Sequence, residues 1–268
     1  MSLTQNNHQQ LKDALAQRNF DQAQALWLEL AEQFPDQPDF LLLLVKEFFD
    51  AGHGAMAAEL ASIIAPNLKA AGKHHEWLYA LKLQTGAAPT DKTLRAELLE
   101  AYRQIYENDP RLNAILAVAE FNQSRSPLPS GIARADTLLA LQVGSFCQHK
   151  SWGLGRVKSF DTTLSRIVVA FPHNPDHAMQ LSYAAESVQP VNSEHIEVRK
   201  ISDLDSLKQL AGTDPVALIR AVLLSYNRAA TTDRIEAVLS RSVVAADQWK
   251  KWWDNTKKLL KRDPHFFH

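Results

Sequence analysis

The sequence predicts a mostly α protein in three parts. These are an N-terminal helical-repeat array of the tetratricopeptide-like (TPR-like) kind, a small SH3-like β-barrel and a C-terminal helical bundle. Three observations carry this. Apolar residues recur at three- and four-residue spacing through residues 1–122, glycine-punctuated β-branched runs fill 144–191, and helical periodicity returns from 203. Boundaries are expected at 1–125 for the array, 126–141 for a linker and short helix, 142–195 for the barrel and 196–268 for the bundle. The 268 residues suffice for one large or two to three small domains.

Within the array, 20-FDQAQALWLELAEQF-34 places Phe20, Ala23, Leu26, Trp27, Leu30 and Phe34 on one stripe. Pro35 and Pro38 end that helix. The next spans 39–52 and stops at Gly52, a C′ residue. Others are expected from Gly54 to 67–72, then at about 73–85, 90–107 and 111–122, with Thr90 or Asp91 capping the fifth. A shift of 34 residues aligns Ala23 with Ala57, Leu26 with Leu60 and Leu30 with Ile64, the period of helical hairpins that stack. The stripes are core, and stacked hairpins would leave a concave face for a peptide or protein. His74, His75 and Glu76 are adjacent, point to different helix faces and read as a solvated helix start.

The stretch 123-QSRSPLPSG-131 has connector composition, and helix resumes over 132–141. The period then changes to two. Strands are expected at 154–160, 166–171, 178–183 and 187–191, with Pro172, Asn174 and Pro175 as breaks and Gly144, Gly153 and Gly155 as bends. Cys147 and His149 share a strand face but lack an orienting group and an oxyanion hole, so nucleophilic catalysis is not expected. Trp152-Gly-Leu-Gly-Arg156 lacks phosphate-loop spacing. The turn instead offers Lys150, Trp152 and Arg156, an aromatic-plus-basic set suited to a partner interface. Trp152 either anchors such a partner or plugs the end of the barrel.

In the C-terminal part, helices are expected at 203–212 (closed by Gly212), 215–229 (opened by Thr213-Asp214-Pro215), 231–243 and 246–262. The last places Trp249, Trp252, Trp253, Leu259 and Leu260 on one side. Lys250, Lys251, Lys257, Lys258, Lys261 and Arg262 face three Asp, a local excess of positive charge. One reading is nucleic acid, with the five lysines on phosphates and Trp on bases. The other is a packed Trp stripe with solvated lysines, which the core spacing of 249, 252 and 253 favours.

Hydrophobic residues make up 46% and charged residues 22%, an ordinary globular balance. The net charge of −1 exerts no global pull toward polyanions. One cysteine excludes an internal disulfide and fits a reducing compartment. The polar start MSLTQNNHQQ is not a signal peptide, and 40-FLLLLV-45 is too short to span a bilayer. A cytoplasmic protein without membrane contact is expected. No cofactor, metal site or catalytic constellation is expected either, so the chain reads as a non-enzyme.

The pattern Val143-Gly-Ser-Phe-Cys-Gln-His149, Gly153-Leu-Gly155-Arg-Val157 and Ile167-Val-Val-Ala-Phe171 resembles the RNA-polymerase-interacting module of CarD-type regulators and transcription-repair coupling factors. Cys147 stands where that pattern has Val, and Trp152 departs from it. The resemblance implies a Tudor-like barrel that binds the polymerase β subunit. The wider order (helical repeats, H-K-S-W-G-L-G-R-V, then W-W-x-x-x-K-K-x-L-K-x-D-P) resembles the N-terminal extension of the large GreA/GreB-type elongation factors of chlamydiae. In those factors a C-terminal Gre part carries an acidic coiled-coil tip that assists transcript cleavage, and no such tip is found here. The sequence stops at 263-DPHFFH-268, just after a hydrophobic pair, so a fragment of a longer protein or a stand-alone relative is expected. The function implied is a transcription-associated interaction module docking on RNA polymerase. The alternatives are a nucleic-acid-binding protein using the basic helix and a helical-repeat scaffold unrelated to transcription.

Overall fold

The computed structural model describes residues 3–263, so the Phe266-Phe267 pair lies outside the described residues. The chain divides into two compact units. One comprises residues up to Leu139 with Thr162–Ser165 and Gln180–Glu186; the other comprises Ala140–Asp161, Arg166–Met179 and the chain from Ser187 onward.

The first unit is helical. It contains α1 (Leu3–Ala16), α2 (Phe20–Gln33), α3 (Pro38–Asp50), α4 (Gly54–Ala70), α5 (His74–Gln84), α6 (Lys92–Ile105), α7 (Leu112–Val118) and α8 (Leu128–Ala140). Connections of three or four residues from α1 to α5 return each helix against its predecessor. Asn19 and Asp91 cap α2 and α6, their side chains accepting the N–H groups of Gln22 and Leu94. The 34-residue shift maps α2 onto α4. Their first residues, Phe20 and Gly54, are 34 apart, and Ala23 and Ala57 are both fully buried.

Several elements differ from expectation for identifiable reasons. Helix α1 was not foreseen as a separate element; Leu11, Ala14 and Leu15 are buried on it. Pro38 opens α3 at N1 rather than only ending α2, since a missing N–H costs nothing there. Helix α8 starts at Leu128, inside the stretch read as a connector. Its Leu128 N–H donates to the Pro89 carbonyl at 2.7 Å. Gly131 meets the Ala119 backbone so closely that a Cβ would lie 2.6 Å from its carbonyl oxygen. Glycine composition there signals close packing, not flexibility.

Two polar side chains cross-link helices of this unit. Trp27 Nε1 donates to the Leu41 carbonyl at 3.1 Å, tying α2 to α3. Tyr102 donates its hydroxyl to Asp136 at 2.7 Å, and Lys82 pairs with the same carboxylate at 2.7 Å. Burial and then the Asp136 charge push the Tyr102 phenol well above its ordinary range, so it stays a donor.

The second unit holds one antiparallel sheet of five strands in the order β4-β3-β2-β1-β5. The strands are β1 (Phe146–His149), β2 (Gly153–Asp161), β3 (Arg166–Phe171), β4 (Asn174–Gln180) and β5 (Val188–Val191); α9 (Leu181–Ser187), between the last two in sequence, belongs with the first unit up to Glu186. Cys147, Val157, Ile167, Val169, Phe171 and Val188 bury the inner face. The register shifts between Val157 and Ser159, a bulge that bends β2. Asn174 and Pro175, expected to break the chain, open β4 instead. As an edge strand next to β3 alone, it tolerates a proline without an N–H. The run expected to stay extended through Tyr183 turns helical at Leu181.

The remaining helices are α10 (Ile196–Ser202), α11 (Leu204–Thr213), α12 (Pro215–Ser225), α13 (Thr232–Leu239) and α14 (Trp249–Leu260). Leu207, Leu218, Ile219, Val222, Ile235, Val238, Leu239 and Trp249 form their common core. Gly212 does not close α11; the helix runs one residue past it. Asp214 both ends α11 and caps α12, accepting the Ala217 N–H at 3.0 Å. Helix α13 stops at Leu239, short of the expected 243, where Ser240 and Val244 form a bridge and Arg241 takes φ +74°.

Candidate docking surface and basic helix

The β1–β2 turn is built around a buried histidine. Pairing of His149 with Gly153 leaves Lys150, Ser151 and Trp152 as the reversal, with Gly153 at φ +77°, a conformation costly for any side chain. His149 is only 2% exposed, and its Nδ1 accepts the backbone N–H groups of Ser151 at 3.0 Å and Trp152 at 3.2 Å. Burial and then His177 nearby lower its pKa, so the neutral ring that can accept is the stable form. His149 is therefore the acceptor that shapes the turn.

Trp152 extends from this turn at 39% exposure. Its ring lies 4.9 Å from that of His177 and 6.2 Å from that of Phe171, and His149 meets Phe171 edge-on at 5.7 Å. The indole covers the end of the inner face and is still partly exposed, so it packs as the second sequence reading expected while part of its surface faces solvent. Gly155 makes this possible. A Cβ there would lie 2.5 Å from Phe171 Cε1 and 2.6 Å from Val169 Cγ1.

Of the three residues expected at the interface, the structure brings two together. Lys150 and Trp152 share the turn, both exposed. Arg156 sits further along β2 on the outer face, opposite Phe146. Its Nε donates to the Gly144 carbonyl at 3.1 Å and its guanidinium lies 5.8 Å from the Phe146 ring. It braces the strand leading into β1. His177 was missed as a member of this group because the fourth strand was expected at 178–183, whereas β4 starts at Asn174, and spacing alone does not show that β3 and β4 bring Phe171 and His177 beside Trp152.

Cys147 is fully buried, and burial pushes its thiol up to about 11, the opposite of an activated nucleophile. Among the described residues, no group of three His, Cys, Asp or Glu side chains could hold a metal. No helix among them is long and apolar enough to cross a membrane.

On α14, Trp249 and Trp253 stack at 5.7 Å, and Trp252 Nε1 donates to the Ala211 carbonyl at 2.8 Å. Thr256 is buried and returns its hydroxyl to the Trp252 carbonyl at 2.8 Å. Leu259 departs from the expected stripe and is exposed. The three Trp are therefore used in packing rather than held out for bases. Lys250, Lys251, Lys257, Lys258 and Lys261 are all exposed.

Two cavities went unread in the sequence. The helical unit carries one of about 600 Å³ lined by Phe49, Tyr79, Lys82, Leu83 and Pro129 among others. The second unit carries one of about 690 Å³ between the sheet's outer face (Gln148, Leu154, Gln189) and His195, Tyr226 and Arg234. Tyr226 lies under Arg234 at 4.6 Å, and burial first raises its phenol pKa. Their parts are far apart in sequence, which is why no motif announces them.

Residues 197–267 match the model of the GRAD helix-turn-helix domain, which takes in most of α10 and all of α11 to α14. A "Putative GreA-associated domains protein" of Treponema pallidum is 22% identical over 258 residues, 94% of this chain and 38% of that protein. The "Transcription elongation factor GreA" of Chlamydia trachomatis serovar D is 25% identical over 135 residues, 49% of this chain and 19% of that protein. The chain thus spans well under half the length of each relative, and it is related to both, more weakly to the second. No solved structure matches it.

Proposed function

We propose that this chain is a non-enzymatic interaction module of the transcription machinery that docks on RNA polymerase. The observation that carries the reading is relatedness along 94% of the chain to a protein named for GreA-associated domains, with a GreA factor as a second relative. The polymerase itself enters through the local motif around the β1–β2 turn.

In this reading the sheet is a small SH3/Tudor-like barrel. Its order β4-β3-β2-β1-β5, the β2 bulge and the helical turn before β5 support that assignment. Lys150 and Trp152 make the contact with the polymerase β subunit, and Arg156 holds the strand behind them. An aromatic ring already half fixed by Phe171 and His177 loses little freedom on binding, a property of good anchors. The helices of the first unit act as a TPR-like scaffold. Docking by one part tethers whatever the rest of the protein carries and raises its effective concentration at the polymerase.

The test is capture of the isolated β subunit by the full chain, wild type against Lys150→Ala with Trp152→Ala. Loss of capture by a folded variant supports the reading; absence of capture by wild type removes it.

A further inference from the structure

Four lysines of α14 and Lys261 at its C-cap form a track. At about 100° per residue, Lys250, Lys251, Lys257, Lys258 and Lys261 fall within an arc of about 120° that runs about 16 Å along the helix. The opposite side, with Trp249, Trp253, Thr256 and Leu260, packs into the helical core. Trp stacking and the Trp252–Ala211 hydrogen bond fix the helix rotationally, so the arc stays turned to solvent. One acid interrupts it: Asp254, which pairs with Lys257 at 2.8 Å. Lys250, Lys251, Lys258 and Lys261 have no ion-pair partner among the described residues.

We infer that α14 is a sequence-independent binding track for the phosphate backbone of a nucleic acid. The chemistry of the arc selects this occupant. Protein interfaces are centred on desolvated aromatic or aliphatic anchors and are depleted in lysine. This arc has no apolar residue, and the exposed Leu259 lies on another side of the helix. An interfacial membrane helix would need an apolar face to insert, and here that face is spent on the core. Base readout is served by Arg, Asn or Gln held against base edges, and the arc carries none of these. Lysines on flexible stems suit regularly spaced phosphates, which they neutralise while releasing counterions. The Trp residues take no part, unlike in stacking-based single-strand binders.

The inference stands apart from the polymerase reading, which rests on the β1–β2 turn. The experiment is fluorescence anisotropy of the full chain with a labelled duplex of random sequence, from 50 to 200 mM KCl. With Lys257 held by Asp254, about four lysines remain for phosphates, and the affinity should fall roughly 10²-fold over that range. Two duplexes of unrelated sequence should bind alike. Lys→Gln at all five positions should abolish binding while near-ultraviolet circular dichroism stays unchanged. The milder set Lys250→Gln, Lys251→Gln and Lys258→Gln should weaken binding and flatten the salt slope. Trp152→Ala should leave binding as it is. No binding at 50 mM, binding insensitive to salt, or full binding by the lysine variants would overturn the inference. So would equal binding to polyglutamate or to vesicles of anionic lipid, which would make the arc a general anion surface.

Discussion

His149 Nδ1 accepts the backbone N–H of Trp152 at 3.2 Å, so a buried ring sets the direction of the most exposed aromatic residue of the sheet. That bond requires a neutral imidazole. Burial, and then His177, lower the folded-state pKa from its ordinary value of 6.5. The unfolded chain therefore binds more protons than the folded one just below pH 6.5, and stability rises with pH there. The contribution is lost as pH falls from 6.5 through the depressed folded value. His195, lowered chiefly by burial, adds a slope of the same sign. Urea midpoints at pH 7.5 and 5.5 should show a larger acid loss for wild type than for His149→Ala. An equal loss in both would contradict the role given to His149.

Gly155 is expected to resist substitution. Gly155→Ala drives a methyl into Phe171 and Val169 and should cost about 1–3 kcal/mol, as overpacked cores do. Gly212→Ala provides the opposite sign. That glycine sits inside α11 with no neighbour within 4 Å, so alanine should stabilise by about 0.5–1 kcal/mol. Denaturant unfolding of both variants checks the pair.

Tyr102→Phe removes the hydroxyl donated to Asp136 and leaves the ring in place. The carboxylate keeps Lys82 as its partner, so the loss should be about 1 kcal/mol in urea unfolding. A loss several times larger would mean that this one hydroxyl, and not the packing of the ring, is the main tie between α6 and α8, Lys82 tying α5 to the same carboxylate.

Trp252→Phe removes the donor to the Ala211 carbonyl and should cost about 1–2 kcal/mol. The exposed lysines beside it should behave differently: Lys251→Gln is expected to stay within about 0.5 kcal/mol of wild type. Equal effects would contradict the division of α14 into a packed side and a solvated side.

Much of this fold is legible in the sequence because its signals are local. Pro, Asp and Gly punctuation foretells α3, α6 and α12, and the period-two runs foretell β2 and β3. What was hidden depends on distant neighbours. Gly131 and Gly212 look alike in sequence, yet one touches the Ala119 carbonyl and the other touches nothing. Asn174-Pro175 reads as a break unless β4 is known to be an edge strand. The arrangement around Trp152 was only half legible for the same reason. The spacing of Trp152 and Arg156 does not reveal that one lies over Phe171 and the other over Phe146. On α14, helical spacing alone separates the packed Trp residues from the lysine arc.

The most direct test of the docking account is binding of the full chain to immobilised RNA polymerase β subunit, read by interferometry. The account predicts saturable binding by wild type and by Arg220→Ala, a substitution remote from the turn. It predicts loss of binding by the Lys150→Ala, Trp152→Ala double variant with unchanged circular dichroism. Undiminished binding by that folded double variant, or no binding by wild type, would contradict it.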